Sequence, residues 1–340
     1  MAEPRPRVWL SRPLFEDVTD RLDEHFDVLR TAVPEAGVYA PGQVASNLRD
    51  VDGALVTLVE RIGATEIAGA ARLRAVANVG VGYDNLDVPV LGSAGVLVTN
   101  TPDVLTETTA DFGFALLMAA ARRVTEAERW LREGQWQRWS FDTLLGADLH
   151  GSTLGILGMG RIGQGIARRA LGFGMRVLYH NRSRLPEATE RECRAEHVDF
   201  DALLANSDHL VLVLPYSPVT HHIIDAAALA KMKPTATLVN VARGGVVDEL
   251  ALADALANGR LAAAGLDVYE GEPRVRPELL ALRNVVLAPH IASASRATRR
   301  AMVALAVDNL IAALGYGPRA GDPPTPVNAD AVAGKITVKR

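Results

Sequence analysis

An arginine, a glutamate and a histidine stand just past three successive apolar runs in the carboxyl-terminal half of this 340-residue chain. Arg243 follows Leu238-Val239-Asn240-Val241. Glu272 follows Leu266-Asp267-Val268-Tyr269 by way of Glu270 and Gly271, and His290 follows Val286-Leu287-Ala288-Pro289. If those runs are parallel strands, all three side chains lie beyond one sheet edge, which is where open α/β sheets bind ligands. Singly, each residue is an ordinary surface or structural group. Together they suit hydride transfer to a 2-keto acid. A guanidinium can grip the substrate carboxylate and polarise the neighbouring carbonyl. An imidazole can protonate the oxygen as it becomes an alkoxide. The carboxylate can accept from the other ring nitrogen, which favours the imidazolium. Reduction needs that acid form, so its rate is expected to fall as pH rises. Metal catalysis is not expected, because the one adjacent histidine pair, His221-His222, reads as part of a loop.

A hydride donor has its own signature. Residues 152–170 carry a GxGxxG pattern at Gly158, Gly160 and Gly163, after an apolar strand and at the start of a helix. That context gives the pattern meaning. Gly158 permits the tight turn, Gly160 lets the backbone approach a pyrophosphate, and Gly163 lets helix and strand pack closely. The amides of Arg161 and Ile162 would face the phosphates at the positive end of the helix. An NAD site places an acid about 20 residues further on. Here the next strand ends Leu178-Tyr179-His180-Asn181-Arg182-Ser183-Arg184, with no acid. Arg182, Ser183 and Arg184 instead suit a 2′-phosphate. NADP(H) is therefore the preferred cofactor, with NAD(H) as the other possibility.

These side chains need a scaffold. The length predicts two domains. Hydrophobic residues at 49% and charged residues at 22% describe a globular chain,. A net charge of −4 gives no basic surplus for nucleic acid or an anionic membrane,. One cysteine, Cys193, excludes an internal disulfide framework,. No apolar run approaches a membrane span or a signal peptide, so a cytoplasmic protein is expected. Residues 7–11, 26–29, 54–58, 73–78 and 96–100 read as strands interleaved with helical segments near 42–50 and 65–71, a small parallel α/β unit,. Residues 104–131 read as one long helix. Six further strands follow, at 153–157, 176–180, 209–214, 236–241, 263–268 and 285–288, the count of a doubly wound dinucleotide-binding sheet,. A helix over 296–314 is expected to return to the first domain. The tail from Gly315 is expected to run over the surface, its last dozen residues mobile. The expected division is 1–101 with 293–340, and 102–292.

Five motifs in order resemble the D-isomer-specific 2-hydroxyacid dehydrogenases, with glyoxylate/hydroxypyruvate and 2-ketogluconate reductases the most similar branch. They are residues 78–87 (NVGVGYDNLD), 154–163 (LGILGMGRIG), 240–245 (NVARGG), 265–273 (GLDVYEGEP) and 289–295 (PHIASAS), within a likeness spanning roughly residues 8 to 328. The resemblance implies a Rossmann-type cofactor domain inserted into a smaller flavodoxin-like substrate domain. Arg243, Glu272 and His290 take the catalytic positions. Leu58 and the amides of Val81 and Gly82 contact substrate alongside Arg243 and His290. Asp267 holds the nicotinamide carboxamide, and Leu214, Pro215, Thr220 and Val241 line the cofactor. The family's homodimers imply that the stretch 110–139 packs on a partner and that Trp139 reaches the partner's site. Ala292 departs from a common glycine, and its methyl is expected to narrow the pocket. NADPH-dependent reduction of glyoxylate, hydroxypyruvate or 2-ketogluconate to a D-2-hydroxy acid is the resulting expectation. Two alternatives stay open: a nucleotide-sensing, non-enzymatic corepressor-like protein, and a phosphite dehydrogenase. Formate enzymes of this fold carry glutamine where Glu272 stands.

Overall fold

A computed structural model describes residues 5–35 and 37–333, which form two compact units, one of residues up to 105 and from 295, the other Thr106–Ala294. The expected mobile end falls largely outside the described residues.

The first unit carries five strands: β1 (Arg7–Leu10), β2 (Asp27–Arg30), β3 (Gly53–Val56), β4 (Ala75–Asn78) and β5 (Leu97–Thr99). All are parallel in the order β2-β1-β3-β4-β5. That is the flavodoxin-like order. β3 and β4 are buried along their whole length. This explains why they read as continuous apolar runs rather than alternating ones. Helix Arg296–Ala313 packs on β3 and β4, with Leu310 pressed so close to Gly53 that a Cβ there would meet it at 2.9 Å.

Part of the tail departs from expectation. Asn328 is buried, accepts from the Val98 amide at 2.8 Å and donates to the Val96 carbonyl at 3.0 Å. Pro326 pairs antiparallel with Thr99. The segment thereby covers the free edge of β5, and an uncovered strand edge is a liability.

The second unit holds seven parallel strands: β6 (Thr153–Leu157), β7 (Arg176–His180), β8 (Ala195–His197), β9 (His209–Leu212), β10 (Thr237–Asn240), β11 (Ala263–Leu266) and β12 (Val285–Leu287). Their order is β12-β11-β10-β9-β6-β7-β8. From β6 the chain winds one way through β7 and β8, then crosses to β9 and winds the other way. The switch point of this doubly wound sheet lies between β6 and β9, where such folds bind nucleotides. β8 is one strand more than the six expected. Its three residues, Ala-Glu-His, are an edge strand with no apolar run to reveal it.

The long helix expected over 104–131 is two, Thr106–Ala121 and Val124–Arg132. Arg123 adopts a left-handed φ of 53°, and the Ala121 carbonyl takes the Ala147 amide at 2.9 Å. The Arg123 guanidinium forks onto Glu126 at 2.8 and 2.9 Å, fixing the break.

Candidate active site

The glycine turn joins β6 to helix Arg161–Leu171. Gly158 has φ 94°, and a Cβ there would lie 2.7 Å from the backbone of Leu214. The turn therefore rests directly on the chain leaving β9. A Cβ on Gly163 would lie 2.8 Å from the Gly158 carbonyl, while one on Gly160 would meet nothing within 4 Å. Gly160 thus leaves open space at the amino end of a helix, where the first amides have no intrahelical acceptors. A phosphate-bearing cofactor fits that cradle. Past Leu214, the Thr220 hydroxyl donates to the Pro215 carbonyl at 2.9 Å and accepts from the Ser217 amide at 2.8 Å. Thr220 therefore shapes the turn that carries Pro215. Val241, buried at the end of β10, packs close to Gly113.

At the end of β7, Asn181 occupies the place an acid would take. Its Oδ1 accepts from the Met159 amide at 2.6 Å, which ties the glycine turn to the neighbouring strand. Arg182 and Ser183 are exposed. Arg184 forks onto Glu190 with two bonds of 2.8 Å, and Glu190 also accepts from the buried Tyr179 hydroxyl at 2.6 Å. The Arg184 and Tyr179 bonds pull the Glu190 carboxyl down to about 2. The Arg184 guanidinium is therefore already engaged, and Arg182 is the better placed of the two for a phosphate.

Beyond β10, β11 and β12, three loops meet. The Asn240 amide nitrogen donates to the Arg243 carbonyl at 2.9 Å, and its Oδ1 accepts from the Ala242 amide at 3.0 Å. Arg243 itself is extended and donates to the Ala242 carbonyl at 2.8 Å. Next comes Gly244, where a Cβ would overlap the Tyr269–Glu270 peptide at 1.8 Å. Only glycine lets the Arg243 loop lie against the loop that carries Glu272.

Glu272 accepts from the Tyr269 amide on Oε1 at 2.9 Å and from His290 Nδ1 on Oε2 at 2.8 Å. Burial pushes the Glu272 carboxyl up, but the His290 hydrogen bond and charge, the Tyr269 amide and the Arg243 charge outweigh it and hold the group below its ordinary value. A Glu272 held ionised fixes His290 with its Nδ1 proton toward the carboxylate, leaving Nε2 for other partners.

His290 has a left-handed φ of 54°. Its amide donates to the Asp267 carbonyl at 2.8 Å, while the Asp267 carboxylate takes the Ile291 amide at 2.8 Å and the Ala292 amide at 2.9 Å. Burial pushes the Asp267 carboxyl up, against the pull of these two amides. Asp267 thus holds the backbone that presents His290, a role its position in the sequence does not disclose. Ala292 is buried beside it. Tyr269, also buried, places its hydroxyl between the Leu266 and Ala288 carbonyls, at 3.1 and 2.9 Å, and ties β11 to β12.

In the first unit, Leu58 and the Val81-Gly82 turn follow the adjacent strands β3 and β4. Asn78 donates to the Gly82 carbonyl and Asn100 to the Val81 carbonyl, each at 2.8 Å. Buried Glu60, two residues after Leu58, gathers Ser11, Arg12 and Thr57 and accepts the Thr57 amide at 2.8 Å. In the second unit, Trp139 is 74% exposed and stacks edge-on with Phe141, which is 87% exposed.

Residues 114–292 match the family model described as D-isomer specific 2-hydroxyacid dehydrogenase, NAD binding domain. A glyoxylate reductase of Thermococcus gammatolerans is 48% identical over 333 residues, covering 96% of this chain and 97% of that protein. The NADPH-dependent glyoxylate/hydroxypyruvate reductase of Sinorhizobium meliloti, solved in complex with NADP and malonate, is similar with a TM-score of 0.82 and 39% identity, over 95% of this chain and 97% of that one. A glyoxylate reductase from Paecilomyes thermophila gives a TM-score of 0.86 at 34% identity, over 96% and 99%.

Proposed function

The chain belongs to the D-isomer specific 2-hydroxyacid dehydrogenases and is an NAD(P)-dependent oxidoreductase that reduces 2-keto acids; on that premise we propose that its substrates are glyoxylate and hydroxypyruvate, that NADPH is its preferred cofactor and that His290 is its general acid. The carrying observation is the 2.8 Å bond between His290 Nδ1 and a Glu272 held ionised, in a loop cluster with Arg243.

A bound nicotinamide supplies the hydride, which becomes the new C–H bond. Arg243 binds the substrate carboxylate and draws charge toward the carbonyl oxygen. As the C=O double bond opens, His290 Nε2 gives its proton to that oxygen and forms the hydroxyl. Glu272 holds the His290 ring in one orientation through its Nδ1 and does not itself touch the substrate. Asp267 steadies the His290 loop through three backbone amides, including that of His290. The preference for NADPH rests on Arg182 and on Asn181 standing where an acid would repel a 2′-phosphate.

A homodimer is the assembly we assign. Val124, Leu131, Trp136, Trp139, Phe141 and Leu145 are all exposed in the single chain, a larger apolar stretch than scattered surface residues produce,. Among the described residues no helix is long and apolar enough to cross a membrane.

The test is a steady-state screen of glyoxylate, hydroxypyruvate and 2-ketogluconate, each with NADPH and NADH. The highest kcat/KM should come from glyoxylate or hydroxypyruvate with NADPH. No oxidation of either cofactor with any of the three would overturn the reading and favour a nucleotide-binding protein without turnover.

A further inference from the structure

The geometry points to a binding site for a divalent transition ion of the zinc class, formed by His221, His222 and Glu270, apart from the groups that handle the keto acid. The two histidines are neighbours in the turn that follows β9, and Glu270 lies two residues before Glu272. Each offers one ligand atom, and the three atoms lie within 4.8 Å of one another. His222 Nε2 stands 3.3 Å from both Glu270 oxygens.

Ligands around a tetrahedral ion at bond lengths of 2.0–2.1 Å are separated by about 3.4 Å. The His222–Glu270 spacing already has that value, and closing the remainder needs only a small movement of His221, the most exposed of the three. Two imidazoles and a carboxylate are a borderline donor set that suits zinc, nickel or copper and is poor for magnesium.

Consecutive side chains usually diverge. Here His222 has a left-handed φ of 50°, and the two rings stack face to face with centroids 3.8 Å apart. The turn is anchored where the pair needs it: the His222 amide donates to the Gly245 carbonyl at 2.8 Å. The second nitrogen of one ring also has a partner, because His221 Nδ1 lies 3.1 Å from the Tyr216 hydroxyl. A metal-binding imidazole is normally oriented in this way through its other nitrogen, which leaves His221 Nε2 for the ion. On the opposite side, buried Glu249 accepts the Glu270 amide at 2.7 Å, so Glu270 is held by its backbone while its carboxylate reaches the histidines. The Arg276 guanidinium lies 3.6 Å from Glu270 Oε2 and competes for one oxygen, not both.

An ion at this place fastens the turn that follows Pro215 to the segment that leads into Glu272. The site binds the native chain and not the unfolded one, so occupancy raises the melting temperature by linkage.

The test uses untagged full-length protein, freed of metal by a chelator and then titrated with zinc chloride by calorimetry. Magnesium chloride is the control. One zinc per chain, with a matching rise in melting temperature and no response to magnesium, is expected. The double variant His221→Asn/His222→Gln should weaken zinc binding by roughly tenfold or more, and Glu270→Gln should weaken it in the same direction. Melting of the metal-free variants shows whether they fold, and Glu270→Gln decides the matter if the histidine variant does not. Stoichiometric zinc binding that survives in the folded variants, or a parent chain that binds no zinc, overturns the assignment.

Discussion

Replacing Glu272 by glutamine preserves volume but removes what the site uses. Both Glu272 oxygens act as acceptors, Oε1 from the Tyr269 amide and Oε2 from His290 Nδ1. An amide offers one oxygen and one NH2 group, so one of those two donors must face another donor. If the oxygen stays on Tyr269, the imidazole loses its partner. If it turns to His290, the Tyr269 amide loses its own and the loop shifts. Either way a charge-assisted bond is lost, and such bonds contribute about 1.5–3 kcal/mol. At about 1.4 kcal/mol per factor of ten, kcat for glyoxylate reduction should fall about 10- to 100-fold. The split between kcat and KM carries the second signature. Glu272 does not touch the substrate, so KM for glyoxylate should change far less than kcat in Glu272→Gln. Glu272→Asp keeps the charge at a shorter reach, and its kcat should lie between those of the parent and Glu272→Gln. The assay is NADPH consumption followed by absorbance over a range of glyoxylate concentrations at fixed pH. A variant with parental kcat, or one whose loss lies in KM alone, would refute the pairing as a functional device and leave it a structural contact.

Arg182→Glu should raise KM for NADPH at least about tenfold, the weight of one charge-assisted phosphate contact, with far less effect on NADH; equal changes in both would remove the basis for NADPH preference. In Gly244→Ala the new methyl would overlap the Tyr269–Glu270 peptide, and overpacking of this kind costs about 1–3 kcal/mol or more,. Its melting temperature and kcat should fall together, and parental values for both would mean the two loops do not depend on that contact. Glu190 titrates at about 2 in the folded chain instead of 4.5. The unfolded chain binds the proton first as pH falls, so the stabilisation is complete above pH 4.5 and is lost toward about pH 2,. The difference in melting temperature between the parent and Glu190→Gln should therefore be widest above pH 4.5 and close below it, and a gap independent of pH would contradict the Arg184–Glu190–Tyr179 network.

The parallel sheets were readable in the sequence because buried strands have no polar face to hide in. Ala54-Leu55-Val56 and Leu210-Val211-Leu212 are apolar throughout, and each ends near a turn residue. β8 was not readable, since an edge strand of Ala-Glu-His pairs through its backbone alone. Nor was the break at Arg123. Ala- and Leu-rich helical periodicity runs through it, and what stops the helix is a backbone carbonyl that a loop residue 26 positions later, Ala147, takes over.

At the site, the groups that suit catalysis could be picked out by type and by place at a strand end, but the groups that hold them could not. Asn181 looks like a missing acid until the structure puts its oxygen on the Met159 amide. Arg184 looks like a second phosphate ligand until Glu190 is seen to occupy it. Asn240, Gly244 and Asp267 act on backbone amides, carbonyls and one close peptide contact, and a sequence pattern carries no record of which amide faces which oxygen. The Asn181, Gly244 and Asp267 contacts join loops that follow different strands. The same physics explains why the pair His221-His222 reads as a plain loop from the sequence: Glu270, which His222 meets at 3.3 Å, comes from 48 residues away. Chemistry at the end of this sheet is therefore set by side chains of recognisable type, while their geometry is set by small residues and amides whose importance appears only once the chain is folded.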